Sequence, residues 1–249
     1  MLIQPTIENL KVLRLFGMVR ALESQLSAPD SRSLSFEERL GLLVDSQLSW
    51  QEDKRLQDRL RAAKLPLSAT VEDFDTRGGR GIDRSTINSL SASDWVLSHQ
   101  NVIVIGQTGV GKSYLACALA QKACRDGFST IYFRASRLFQ ELAFARADGR
   151  YATILASIAR KDLLVIDDFG LASFTAEQAR DLLEIVEDRY DRKSTIIGSQ
   201  VPIDHWHQLI GDPTIADAVL DRVVHICHKI TLKGESRRKG KAKDLQLVG

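Results

Sequence analysis

Apolar residues recur along this chain at two periods, and the change between them falls near residue 100. Over residues 6–27, Val12, Leu15, Val19, Leu22 and Leu26 step by three and four, which predicts a helix with one apolar face. Pro29-Asp30-Ser31 interrupts it. Ser35-Phe-Glu-Glu38 spells a capping box, in which Ser35 caps the new helix and Glu38 reaches back. Phe36, Leu40, Leu43 and Trp50 line that second helix. A third stripe, Leu56, Leu60 and Ala63, runs beside Lys54, Arg55, Arg59, Arg61 and Lys64, with Asp53 and Asp58 interleaved. Residues 1–65 are therefore expected as a small domain of three short amphipathic helices. Its basic side is a candidate for DNA phosphates and reads equally as a solvated mixed-charge face. Pro66 ends this unit. Residues 66–100 are richer in Ser, Thr, Asp and Gly, including Arg77-Gly-Gly-Arg-Gly81, and read as a linker entering the next domain. A weak helical pattern over Asp83–Ser98 (Ile87, Leu90, Trp95, Leu97) is placed to pass over a nucleotide base.

From Val102 onward, short apolar runs alternate with helical stretches. Strands are expected at 102–105, 130–134, 163–166 and 195–199. Helices are expected at 112–126, ending at Gly127, and at 136–147, 151–159 and 175–190, the last capped by Thr175. This alternation predicts a parallel α/β sheet.

The composition adds bounds. The chain has 249 residues, 44% apolar and 27% charged, enough for a core domain and a smaller one. A net charge of +2 gives no global field for nucleic acid, but residues 233–249 carry six Lys/Arg against two Asp/Glu. Three cysteines, Cys117, Cys124 and Cys227, suggest a reducing compartment. Cys117 and Cys124 share the helix at 112–126 and read as core. His205, His207, His225 and His228 come with no pair of Cys-x-x-Cys motifs, so a zinc site is not spelled. No run is long enough to span a bilayer and no signal-peptide pattern opens the chain, so a cytoplasmic protein is expected.

The chemistry is concentrated after the first strand. Gly106-Gln107-Thr108-Gly109-Val110-Gly111-Lys112-Ser113 is G-x-x-x-x-G-K-S, between a strand-like and a helix-like stretch. The glycines let successive backbone N–H groups cradle phosphate oxygens. Lys112 reaches the terminal phosphates, Ser113 ligates Mg²⁺, and the helix N-terminus adds its dipole. The loop by itself says that the chain binds a nucleoside triphosphate with Mg²⁺. Leu163-Leu-Val-Ile-Asp-Asp168 delivers two carboxylates at a strand's C-terminal end, where ligands bind in such sheets. Asp167 is expected on the Mg²⁺ water shell opposite Ser113, and Asp168 on the attacking water. Asp168-Phe-Gly170 matches a protein-kinase motif, but no kinase catalytic loop accompanies it.

Ser199 and Gln200 close the fourth strand, expected beside the second, where a polar side chain can touch the γ-phosphate or water. Arg222 can reach a neighbouring subunit's γ-phosphate as an arginine finger, or be a salt-bridged helix residue. Arg238 can serve in cis.

Together GQTGVGKS, LLVIDDFG, STIIGSQVPIDHWH, GDPTIADAVLDRVVH and LKGESRRK resemble the AAA+ transposition helpers of the IstB type, close relatives of the DnaC-type helicase loaders. The resemblance spans nearly the whole chain, including LSFEERLGLLVDSQ and RLFQELAFARADGRY. It implies a P-loop AAA+ core of the initiator/DnaC-like clade over 101–233, an N-terminal helical DNA- or partner-binding domain, and a basic tail over 234–249. It places Gln200 at sensor 1, Arg222 at the arginine finger and Arg238 at sensor 2. Asp168 stands where such ATPases usually carry Glu, so slow hydrolysis without DNA or a partner is expected. Sensor 1 is commonly Asn.

The implied function is ATP-dependent assembly of homo-oligomers on duplex DNA, presentation of that DNA to a cognate transposase, and disassembly on hydrolysis, with no membrane partner. Arg134, Arg137, Arg146 and Arg150, with Lys54, Arg55, Arg59 and the tail's Lys239, Lys241 and Lys243, are the candidates for sequence-independent phosphate contacts. A helicase loader shares the ATPase core and differs in partner. A small-molecule P-loop kinase and a non-hydrolysing scaffold are the remaining alternatives.

Overall fold

A computed structural model describes residues 3–28, 31, 33–76 and 80–236. The chain divides into two compact units, 1–58 and 59–249.

The first unit holds α1 (Ile3–Val12), α2 (Phe16–Ser27) and most of α3 (Phe36–Ala63). The single helix expected over 6–27 is two. Arg14 takes a left-handed φ of 59°, and the chain turns between Val12 and Phe16. Val12 is therefore exposed rather than on the apolar face, and Ile7, Val19 and Leu22 are the buried set. Gln47 on α3 explains the break. Its Oε1 accepts from the backbone N–H of Gly17 (2.8 Å) and Met18 (3.2 Å), supplying the new helix start with acceptors it otherwise lacks. The Ser35–Glu38 capping box forms as expected: Ser35 N–H donates to Glu38 Oε2 and Glu38 N–H to Ser35 Oγ. The second and third expected helices are one helix of 28 residues, because no Gly or Pro separates their stripes after Gly41. Lys64, at φ 53°, ends it.

The second unit continues through α4 (Arg84–Ser91), α5 (Asp94–Leu97), β1 (Asn101–Gly106), α6 (Lys112–Arg125), β2 (Thr130–Arg134), α7 (Ala135–Ala147) and α8 (Tyr151–Ala159). There follow β3 (Leu163–Phe169), α9 (Ala176–Arg189), β4 (Ser194–Ser199), α10 (Trp206–Ile210), α11 (Pro213–Val224) and β5 (Cys227–Leu232). The strands form one parallel sheet in the order β2-β3-β4-β1-β5. The fourth strand thus lies between β3 and β1, not beside the second. The fifth strand was not expected from the pattern, because His228 and Lys229 interrupt its apolar alternation.

Successive side chains alternate between the two faces of the sheet. Val102, Val104, Tyr132, Val165, Ile196 and Ile230 pack with α4, α5 and α6. Ile103, Ile131, Phe133, Leu164, Ile166 and Ile197 pack with α7 to α11. Burial on both faces is why these strands read as continuous apolar runs. The stretch read as a linker, 66–100, supplies Ala69, Phe74, Ile87, Leu90 and Trp95 to the first of these cores. Among the described residues no helix is long and apolar enough to cross a membrane.

Candidate functional site

The loop over 106–111 joins β1 to α6 at the C-terminal edge of the sheet. Gly109 and Gly111 adopt φ of 86° and 110°, the left-handed conformations that turn backbone N–H groups inward. The fourteen-residue α6 begins at Lys112 and presents its positive dipole end here. Lys112 is buried, and its Nζ donates to the Gln107 carbonyl at 3.0 Å, so its ammonium lies against the loop that would hold phosphate. Ser113 is half-buried in the first helical turn.

Alternation along β3 decides which carboxylate faces this helix. Leu163 and Val165 point to the α6 side, and Asp167 follows them. Asp167 is 1% exposed. Its Oδ2 accepts a hydrogen bond from the Tyr132 hydroxyl at 2.8 Å, across from β2. Its Oδ1 is buried with no hydrogen-bond partner. A buried acceptor left in this state is costly unless something else satisfies it. Gly198 on β4 makes room for that oxygen: a Cβ at 198 would overlap the Asp167 carboxylate. A buried carboxylate with one oxygen unclaimed, on the sheet face that carries α6 and Ser113, fits a hard divalent cation such as Mg²⁺. Burial, with Asp167 beside it, also pushes the Cys117 thiol up to about 12 and holds the Tyr132 hydroxyl protonated well above its usual range.

Asp168 is set apart from its neighbour by a bulge. The β3–β4 register shifts between Ile166 and Phe169, and Asp168 has a φ of 56°. Its side chain is one-third exposed and faces Arg134, at the end of β2, at 3.8 Å. Phe169, the middle of the kinase-like triplet, is fully buried against Phe174 and Trp206.

The two strand-end residues at 199 and 200 do different things. Ser199 is buried; its Oγ donates to the Phe169 carbonyl at 2.9 Å and accepts from Val201 N–H at 3.0 Å, so it closes a turn and does not face the loop. Gln200 accepts from Thr108 Oγ1 at 2.7 Å, which ties the end of β4 to the phosphate loop. The β1–β4 pairing, with Ile105 opposite Ser199, brings them together. The chain beyond β5 arrives here too, since a Cβ at Gly109 would overlap Ser236. Arg238 lies outside the described residues, as do Lys239, Lys241 and Lys243. Arg80 and Phe74, not singled out from sequence, adjoin the start of α6: a Cβ at Gly111 would lie 3.8 Å from Arg80 Nη1 and 3.9 Å from Phe74.

With this geometry in place, the comparisons are consistent. The sequence profile of the family described as IstB-like ATP binding protein matches residues 8–244. The chain belongs to that family. It is 49% identical over 239 residues to an insertion sequence ATP-binding protein of Sinorhizobium fredii, covering 96% of this chain and 98% of that one. It is 46% identical over 203 residues to an insertion sequence ATP-binding protein of Pseudomonas fluorescens, covering 81% and 88%. In fold it is similar to the DnaC helicase loader: TM-score 0.57 at 17% identity, over 69% of this chain and all of that one. The architecture is a parallel-sheet P-loop core of the kind seen in that loader.

In this IstB-like chain Arg222 lies far from its own loop. Asn101 Nδ2, at the start of β1, donates to the Arg222 and Val223 carbonyls at 3.4 and 3.2 Å. The loop follows the other end of that strand, about 17 Å away at roughly 3.3 Å per residue. The guanidinium is held by Glu187 Oε1 and the Ala218 carbonyl, both at 2.9 Å. The described candidates for DNA contact have different surroundings. Arg134 faces Asp168. Arg146 bridges Glu177 and the buried Asp181, stacks 4.2 Å over Tyr151, and so fastens α7 to α9. Arg150 pairs with Asp148 at 2.5 Å, and Arg59 Nε donates to the Cys124 carbonyl at 2.8 Å. Lys54 lies 5.1 Å from the Trp50 ring. Arg55 and Arg137 are exposed, Arg137 with a bond to Gln140.

Proposed function

We propose that this chain is an ATP-hydrolysing helper of transposition that self-assembles on duplex DNA, presents that DNA to its cognate transposase, and comes apart as ATP is hydrolysed. The observation that carries the reading is the separation of Arg222 from the phosphate loop of the same chain. A phosphate site that lacks its charge-stabilising arginine is completed only by another copy, so ATP becomes the bond between subunits. The relatives' names, as insertion sequence ATP-binding proteins, supply the transposition context.

The loop's N–H groups and Lys112 hold the β- and γ-phosphates, with Lys112 transferring its hydrogen bond from the Gln107 carbonyl. Asp167 Oδ1 and Ser113 would hold Mg²⁺, which would neutralise phosphate charge. Asp168 orients and polarises the attacking water. Gln200 stands beside the loop at the γ-phosphate end, and Arg222 of the adjoining subunit meets the charge that develops on the transferred phosphoryl group. Arg238 acts in cis, as the family resemblance implies. Asp168 is one methylene shorter than Glu and is drawn toward Arg134, so turnover is slow until DNA or a partner rearranges that pair. Contacts from Arg55, Arg137, Lys54 and the basic tail to DNA phosphates give salt-dependent, sequence-tolerant binding.

Sizing of the protein on duplex DNA tests the reading. Large complexes are expected with ATP and Mg²⁺ and not with ADP, and Lys112→Ala is expected to lose both nucleotide binding and assembly. Equal assembly without nucleotide, or recovery of a replicative helicase instead of the transposase in pull-downs, would overturn it.

A further inference from the structure

The first unit is unusual in what it leaves uncovered. Among its described large apolar side chains, only Ile7, Val19 and Leu22 are buried, whereas eleven remain exposed. Four of these form a row on one helix. Phe36, Leu40, Val44 and Leu48, at steps of four along α3, are 74%, 42%, 43% and 54% exposed. Residues four apart share a helix face, so the row runs about 18 Å at 1.5 Å per residue. It borders the face that packs, on which Leu43 joins the small core, Gln47 caps α2, and Trp50 meets Phe16 at 5.2 Å. A contiguous exposed apolar row on a poorly cored unit marks an interaction site.

The charges beside the row say what covers it. Along the edge away from the packed face lie Glu37, Asp45 and Glu52, all exposed. The only basic residue of α3 before Lys54 is Arg39, and its Nε is turned to Gln25 on the packed side at 3.2 Å. Over Phe36–Leu48 such an edge disfavours duplex DNA, unlike Lys54 and Arg55 farther along the helix. A second copy laid on the same face would set carboxylates against carboxylates. A segment with an apolar stripe flanked by Lys or Arg satisfies both features at once.

We propose that the outer face of α3 over Phe36–Leu48 is a docking surface for a basic amphipathic helix of a partner protein. This deepens the recruiting step proposed above and rests on it only in taking the transposase as the bearer of that helix.

Two synthetic 18-residue helical peptides with the same leucine stripe, one flanked by Lys and one by Glu, test it by fluorescence anisotropy on the full chain. The Lys peptide is expected to bind at least tenfold more tightly. Val44→Asp with Leu48→Asp is expected to weaken it about a hundredfold, as two apolar side chains leave the interface. Glu37→Lys, Asp45→Lys and Glu52→Lys together are expected to invert the preference, and the milder Asp45→Asn with Glu52→Gln to erase it. Unchanged binding of a fluorescent ATP analogue and an unchanged melting curve verify the fold of each variant, all of whose changes are at exposed positions. Equal binding of both peptides, or an unaltered preference in the charge variants, overturns the proposal. So does a change of oligomeric state in the apolar variants, which would make the row a self-contact. The transposase of the same insertion sequence separates the two readings. If wild type binds the Lys peptide but no transposase, recruitment fails and the surface stands. If transposase binds wild type and the apolar variants equally, the surface fails and recruitment stands.

Discussion

Tyr132→Phe removes one hydroxyl and keeps the ring. The hydroxyl is the donor to Asp167 Oδ2, at 2.8 Å, in a site where the carboxylate is 1% exposed and its other oxygen has no partner. Deleting it leaves a buried carboxylate without that support. Hydrogen bonds to charged groups contribute about 1.5–3 kcal/mol, and the unfolded chain is indifferent to the change. Against a domain stability of about 5–15 kcal/mol, a loss near 2 kcal/mol is measurable. Urea unfolding of the nucleotide-free protein, followed by the fluorescence of its three tryptophans, reads it directly. The hydroxyl also sets which oxygen faces the cation site. Titration of Mg²⁺ against a fluorescent ATP analogue is therefore expected to need about tenfold more metal in the variant, the equivalent of 1.4 kcal/mol. Binding of the analogue without metal is expected to be unchanged. A stability change under about 0.5 kcal/mol together with an unshifted Mg²⁺ titration would refute the reasoning, because surface substitutions of no structural consequence fall in that range.

Gly198→Ala places a methyl group on the Asp167 carboxylate; it is expected to destabilise by about 1–3 kcal/mol, as overpacking does, and to weaken Mg²⁺-dependent nucleotide binding in the same titration. Stability should fall above pH 9. Cys117 ionises at its ordinary 9.0 in the unfolded chain and only near 12 in the fold, so the unfolded state releases its proton first and rising pH favours it. Cys117→Ala is expected to reduce that slope by up to about 1.4 kcal/mol per pH unit between pH 9 and 12, read from urea midpoints at each pH.

Much of the site was legible because its parts are local. The phosphate loop is eight consecutive residues, and Asp167 and Asp168 end an apolar run, so strand and chemistry are read together. The fold was legible where both faces of a strand are buried, as at Leu163–Ile166. It was not at β5, where His228 and Lys229 dilute the pattern at a sheet edge. The N-terminal helices were misdivided because breaks there are set by Gln47 reaching across thirty residues to Gly17, which no local period records. Tyr132 and Gly198 carry faint signals: a hydroxyl within an apolar strand, and a glycine inside another, where close approach of a neighbour is the usual reason. Their partner became evident only when β3 was placed between their strands. The basic residues around 134–150 pose the opposite problem. Charge is visible in sequence, but whether it is already paired, as Arg146 is with Asp181, depends on packing.

The account's central claim is that each chain carries half of a phosphate site. Mixing two inactive variants tests it. Lys112→Ala keeps Arg222 and lacks a working loop, while Arg222→Ala keeps the loop and lacks the arginine. With duplex DNA and ATP present, each alone is expected to be silent. The mixture is expected to regain turnover at junctions where an intact loop meets an intact arginine. A mixture as inactive as its components, although Lys112→Ala is carried into the complexes that Arg222→Ala forms on DNA, would contradict the claim, as would full activity of Arg222→Ala alone.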